Sequence, residues 1–242
     1  MTQAMTQPKR LRRSTASGYA RGDETRQRII DAAIRLFGEH GFKDASTRDI
    51  AAAAGVNAPA LQYYFENKEG LYKACAEYIT DDLQARYAPS MKHAKNVLKN
   101  HADVDALIDA YLLMQATTLD SVLVQPHLYK GRLVGRELAG ESPQIASEML
   151  RKKMKEPINK LLLTLLARIM HTRPNDAITR IRMLTLKGMV LAFYYPPGAC
   201  LELLEWKEID ADKSAMIKAS VQEQTRTLLM SWHEAGVRKD AA

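Results

Sequence analysis

Residues 46–68, STRDIAAAAGVNAPALQYYFENK, carry the signals from which the rest of the chain is read. Ser46 stands before an apolar-periodic segment with Asp49 three positions later, so its hydroxyl can cap a helix while the carboxylate reaches back to free amides. That helix starts at Thr47. It is short and alanine-rich, with Ile50, Ala53 and Ala54 on one face, where small side chains admit a second helix at close range. Gly55 ends it, because glycine takes positive φ at little cost, and Val56 plugs the angle that follows. Asn57 caps the next helix, and Pro59 sits in the first turn, where a missing amide hydrogen costs nothing.

In this second helix Leu61 and Phe65 lie four apart and face the core, leaving Ala58, Pro59, Ala60, Gln62, Tyr63 and Tyr64 around the remaining surface. Two adjacent tyrosines cannot both be buried there. Asn67 caps a third helix, and Lys68 at its first position stands where a phosphate oxygen meets both an ammonium and a helix N-terminus. Two short helices across a tight turn suit a reader of duplex DNA, although an ordinary helical hairpin shares the outline.

Ser46-Thr47-Arg48-Asp49-Ile50-Ala51, then Ala54-Gly55-Val56, Tyr63-Tyr64-Phe65 and Lys68-Glu69-Gly70-Leu71-Tyr72, resemble the TetR family of bacterial transcription regulators over about the first third of the chain. The resemblance implies an all-α fold: an N-terminal three-helix helix-turn-helix DNA-binding domain followed by a larger helical ligand-binding and dimerisation domain. It also implies roles. The family lays its second short helix in the major groove, so Ala58, Pro59, Ala60 and Gln62 fall where bases are met. Gln62 can grip adenine with both amide atoms, and Pro59 and Ala60 can touch a thymine methyl. Tyr63 and Tyr64 bind phosphates through their hydroxyls, Thr47 and Lys68 fix the register, and Arg48 reaches a base or a phosphate. Ala58 stands where a polar residue is frequent and Gln62 where tyrosine is usual, so the operator cannot be copied from relatives.

The chain of 242 residues is 46% hydrophobic, ample for one compact domain plus a smaller one. No apolar run approaches membrane-spanning length: Leu161 to Ile169 and Met189 to Tyr195 are too short. The N-terminus is basic without an apolar stretch behind it, so no secretory signal is read and a cytoplasmic protein is expected. Cys75 and Cys200 are far apart and lack metal-ligand spacing, so they are read as reduced, packed thiols. Residues 1–22 contain Lys9, Arg10, Arg12, Arg13, Arg21 and no acid, hence +5 of the net +7. This arm cannot build a core and is expected to be disordered when free; it is either an inert leader or a segment that contacts DNA.

Four divisions are expected: the arm 1–22, the DNA-binding domain 23–72, an effector-binding and dimerisation domain 73–236, and a tail 237–242. Asp23 caps a helix to about His40, striped with Ile29, Ile30, Ala33, Ile34 and Phe37; Gly41 ends it and Phe42 folds back on the end. A helix from Lys68 runs toward Tyr87, where Pro89 interrupts it, and resumes to about Leu98. Leu107 to Leu119 lie in a helix ending near Val124, and a shorter one spans His127 to Leu138 with Gly131 and Gly135. Pro143 opens a long helix to about Met170, bent by Pro157. Another starts at Asn175 or Asp176 and stops at Tyr195-Pro196-Pro197-Gly198, and the last spans about Asp212 to Ala235. Nothing reads as a sheet.

Leu71-Tyr72-Lys73-Ala74-Cys75-Ala76, Gly135-Arg136-Glu137-Leu138 and Leu191-Ala192-Phe193 resemble the CecR-like branch of the family. Family resemblance and the apolar last two helices together imply a two-fold homodimer, with Ile181, Gly188, Ile217, Val221, Leu228 and Trp232 at the contact. The family usually holds a small molecule among the central helices, and Tyr111, Met114, Gln115, Thr118, Phe193 and Tyr194 mix aromatic, soft and polar groups suited to that, or to an ordinary core. The six histidines show no useful partner spacing, and no phosphate-binding glycine loop, dinucleotide fingerprint or nucleophile elbow occurs. The chain is therefore expected to be no enzyme, to need no cofactor or metal, and to repress by default from a near-palindromic operator until a small molecule releases it. The alternative is an all-helical protein–protein adaptor without sequence-specific DNA binding.

Overall fold

In the computed structural model the described residues are 15–100, 102–123, 130, 132–133, 136, 140, 143–193 and 197–240, and every regular element among them is helical. The first helix, α1 (Thr15–Asp44), begins upstream of Asp23 because no proline stands between Thr15 and Asp23 to stop it. Four of the arm's cations, Lys9, Arg10, Arg12 and Arg13, lie outside the described residues. Near its far end α1 is broken at Gly41, whose φ of 82° no β-carbon would accept easily. Phe42 folds back as expected and stacks 5.9 Å from Phe37 and edge-on to Tyr72 at 5.2 Å.

Two short helices follow, α2 (Thr47–Ala53) and α3 (Ala58–Tyr64), and then α4 (Lys68–Lys99). Ile29, Ile30, Phe37, Ile50, Leu61, Leu71 and Cys75 close a first core among α1–α3 and the start of α4. The Cys75 thiol is pushed well above its ordinary range by burial, so it packs as a small apolar group.

Pro89 does not interrupt α4, which runs unbroken through it. Ala85 and Pro89 are both exposed, so the carbonyl that proline leaves without a donor meets solvent, while Tyr87, Ser90 and Ala94 stay packed on the inner face. After Asn100 comes α5 (Val104–Leu123), ending where expected. Of the short helix expected over His127 to Leu138, Lys130, Arg132, Leu133 and Arg136 are helical; His127, Gly131, Gly135 and Leu138 lie outside the described residues.

The long helix from Pro143 is built as α6 (Gln144–Leu150), a π-helical turn (Arg151–Lys155) and α7 (Glu156–Ile169). The expected bend at Pro157 is thus absorbed as a widened turn just before it. Pro157 cannot donate to the carbonyl of Lys153, and Gln84 of α4 supplies the missing hydrogen there at 3.4 Å. Asp176 precedes α8 (Ala177–Leu191). The Pro197-Gly198 pair opens a further helix, α9 (Pro197–Leu203), where only a stop was expected; proline suits a first helical position. The chain ends in α10 (Ala211–Asp240).

Around α4, α5, α7 and α10 lies a second core of Ile108, Met114, Leu165, Leu166, Ile169 and Leu229. Leu119, Val190, Ile217 and Val221 form a third at the far end. Because α4 lines both the first and the second body, the N-terminal unit is mounted directly on the larger one.

Candidate functional site

A side-chain cap fixes the start of each of α2, α3 and α4. Ser46 Oγ accepts from the Asp49 amide at 3.1 Å, Asn57 Oδ1 from that of Ala60 at 2.9 Å, and Asn67 Oδ1 from that of Gly70 at 2.7 Å. The Asp49 carboxylate accepts from the Ser46 hydroxyl at 2.5 Å instead of from a backbone amide. The turn is a Schellman stop: Val56 N–H returns to Ala51 and Gly55 N–H to Ala52, with Gly55 at φ 65°. Leu61 and Phe65 are buried, which fixes the rotation of α3 and turns Ala58, Pro59, Gln62 and Tyr63 outward. Tyr63 is 84% exposed while Tyr64 half-packs on the core beside it, edge to face at 5.2 Å. Arg48 is exposed, Thr47 and Ala60 are half-buried, and none of the outward groups on α3 is charged.

Lys68 is placed differently from the expectation. Its ammonium donates to the carbonyl of Lys43 at 3.0 Å and lies 4.9 Å over the Phe42 ring, so it ties α4 to the end of α1. A group engaged in this way has less to offer a phosphate.

In the larger body a cavity of about 410 Å³ opens between α4, α5, the π turn with α7, and α8. Tyr111, Gln115 and Thr118 line it; Met114 is buried in the core behind, Phe193 packs with Trp206 on the third core, and Tyr194 lies outside the described residues. Thr118 accepts from the Tyr87 hydroxyl at 2.7 Å, and Gln115 donates to Thr225 at 2.9 Å. The cations that face the cavity were not among the sequence candidates: Arg86, Lys130, Lys155 and Lys187. Their signal was faint, a charged residue within an otherwise apolar stripe, as with Arg86 beside Leu83 and Tyr87.

Asp82 receives both Arg86 and Lys130, the latter at 3.1 Å. Burial opposes its ionisation, but hydrogen bonds from Arg86 and Lys130 and their charges outweigh that and hold the carboxyl below the usual range. Lys187 donates to the neutral amide oxygen of Asn159 at 2.5 Å; burial, then the charge of Lys155, pulls its ammonium below the ordinary lysine range. From the same segment as Lys130, Leu133 enters the first core and Arg136 donates to the carbonyls of Gly38 and Glu39 at the end of α1.

Of the residues expected at a contact between copies, Ile181 and Gly188 lie on the outer face of α8, with Ile178 and Leu184 also exposed beside them, while Leu191 borders the cavity. Ile217 and Val221 do not belong there: both are buried in the chain's own third core, because the apolar stripe of α10 is wide enough to serve an interior face. Leu228 and Trp232 are half-buried against the second core, with the Arg182 guanidinium 4.6 Å over the indole. Among the described residues no helix is long and apolar enough to cross a membrane, and no group of three or more His, Cys, Asp or Glu could hold a metal ion. His171 and His233, far apart in sequence, meet with ring nitrogens 3.2 Å apart.

Comparison with known proteins gives the same two-part division. Residues 29–75 match the family described as bacterial regulatory proteins, tetR family, and residues 107–231 match the C-terminal domain of the HTH-type transcriptional dual regulator CecR. The CecR regulator of Shigella flexneri is 29% identical over 202 residues, which cover 83% of this chain and 89% of that one. The regulator TtgW of Pseudomonas putida is 30% identical over 123 residues, covering 51% of this chain and 90% of that one. Among solved structures, AibR in complex with isovaleryl coenzyme A and operator DNA shares the fold, with a TM-score of 0.60 at 17% identity, over 83% of this chain and 97% of that one.

Proposed function

This chain belongs to the TetR family of bacterial regulatory proteins, a regulator and not an enzyme, and on that premise we propose that it represses from a near-palindromic operator as a homodimer until a small molecule releases it. The observation that carries the reading is the outward set Arg48, Ala58, Pro59, Gln62 and Tyr63 on a hairpin whose three caps and Schellman turn leave little freedom. Gln62 reads a base edge, Tyr63 and Tyr64 meet phosphates, and Arg48 contacts the duplex beside them. Two copies place two such helices about one turn, roughly 34 Å, apart on one face of DNA. The exposed apolar residues of α8, with Gly188 admitting close approach, are the contact between copies; among the described residues, and apart from the adjoining helix backbone, nothing lies within 4 Å of where a β-carbon on Gly188 would sit.

The cavity is the effector site, and Lys130, which lines it, and Arg136, which grips the end of α1, connect it to the DNA reader. An effector must favour one arrangement of the readers over another, or it shifts nothing. The test is selection of genomic fragments by the purified chain, followed by titration of the recovered duplex at several salt concentrations. A specific reader shows a steep fall in affinity with salt and loses selectivity in Gln62→Ala. An adaptor without DNA specificity recovers no common fragment.

A further inference from the structure

The cavity is walled by apolar side chains such as Ile79, Leu83, Leu162 and Val190, yet four cations reach it. Arg86 spends only Nη2 on Asp82; its Nε and Nη1 are enclosed and meet no acceptor among the described residues. A buried guanidinium with open N–H groups is costly, and an oxyanion is the group that relieves it. Lys187, from α8, also lines the cavity and rests on a neutral amide with Lys155 nearby, an arrangement that also favours an entering negative charge. Asp82 is the described carboxylate that answers Arg86 and Lys130, and one of its oxygens serves both.

Resting on the reading of this cavity as the effector site, we propose that the effector is an organic anion with an apolar body, whose oxyanion is taken by Arg86 with Lys187 as the second cation and whose hydrocarbon lies on Tyr111, Leu162 and Val190. Neutral or cationic molecules of the same shape are discriminated against, because they leave the Arg86 hydrogens unanswered or add charge to an already positive site. Asp82 is an internal competitor: its carboxylate draws on the same guanidinium that the ligand needs.

The experiment uses the full chain with decanoate, decanol and decylamine as probes, each measured by displacement of the neutral dye Nile red and by the rise in thermal midpoint. Decanoate is expected to bind about tenfold or more tightly than decanol, a preference lost in Arg86→Gln and enlarged in Asp82→Asn. Opposite directions in the two variants separate recognition of charge from simple damage to the fold. Should Arg86→Gln not fold, an unchanged preference in Asp82→Asn overturns the proposal by itself. Equal binding of decanol or decylamine by the parent chain also overturns it, while leaving the cavity as an effector site. If neither Nile red nor any probe binds the parent chain, the effector-site reading fails and the anion proposal with it.

Discussion

Arg136 donates from Nε to the carbonyl of Gly38 at 3.1 Å and from Nη2 to that of Glu39 at 2.9 Å. Both carbonyls belong to the last regular turn of α1 before Gly41, where a helix has acceptors without intrahelical partners and a negative dipole end. Removing the guanidinium in Arg136→Ala should cost about 1.5–3 kcal/mol, read as a lower urea midpoint, and Arg136→Lys should recover part of it. An unchanged midpoint in the alanine variant would show that this bridge does not hold the two bodies together.

Gln62 and Lys68 should fail in different ways. Gln62→Ala is expected to lose about 1–3 kcal/mol at one base position and to relax selectivity there, measured against a set of single-base operator variants. Lys68→Ala should lower the thermal midpoint, because its ammonium holds the Lys43 carbonyl and the Phe42 ring. Its salt dependence of DNA binding should stay close to that of the parent chain. A loss of about one unit in the salt slope would instead return Lys68 to the phosphates.

The caps and the turn at 46–68 were legible because each rests on residues within a few positions: a short polar side chain, a glycine, a proline. The cavity was not, since its walls come from α4, α5, α7 and α8, and Arg86 and Lys187 come to line one cavity only after the chain has folded. The helix continues through Pro89 for a related reason. Local rules count the lost hydrogen bond, whereas burial of Tyr87, Ala94 and Val97 on the inner face keeps α4 helical through it. Ile217 and Val221 show the same limit, because an apolar stripe does not announce whether its partner is the same chain or another copy.

Acid should act through Asp82. Its folded value lies below the usual carboxylate range, so its contribution to stability is complete above about pH 4 and is lost as pH falls through that folded value. Thermal midpoints of the parent chain and Asp82→Asn should therefore differ at neutral pH and converge in acid. Parallel curves down to the acid limb would count against the Asp82 pairing with Arg86 and Lys130.

Gly236 on α10 packs on the end of α7, where a β-carbon would sit 2.5 Å from the Met170 carbonyl oxygen. Backbone cannot swing aside as a side chain can, so Gly236→Ala should destabilise by about 1–3 kcal/mol. Gly188→Ala, inside α8 with no neighbour among the described residues within 4 Å of the new methyl, should stabilise by about 0.5–1 kcal/mol, because glycine weakens a helix interior by that much relative to alanine. Urea titration of both variants separates the two cases.

Leu184 is 68% exposed and Ile181 57% exposed on the outer face of α8. A charge there should leave the single chain folded and break the association, so Leu184→Glu should sediment as a monomer at concentrations where the parent chain is a dimer. A parent chain that is monomeric at micromolar concentration would remove this face from the proposed assembly.

The unbroken course of α4 past Pro89 makes a rod of 32 residues, about 48 Å long, with the DNA reader at one end and cavity wall along its middle. Swung about one end by about 5°, such a rod carries its other end through about 4 Å, more than the roughly 3.4 Å that separates neighbouring bases along a strand. A pivot that moves the helix by only about 1.6 Å at Tyr87 is thus enough to take a recognition helix at its far end out of step with the bases it would meet.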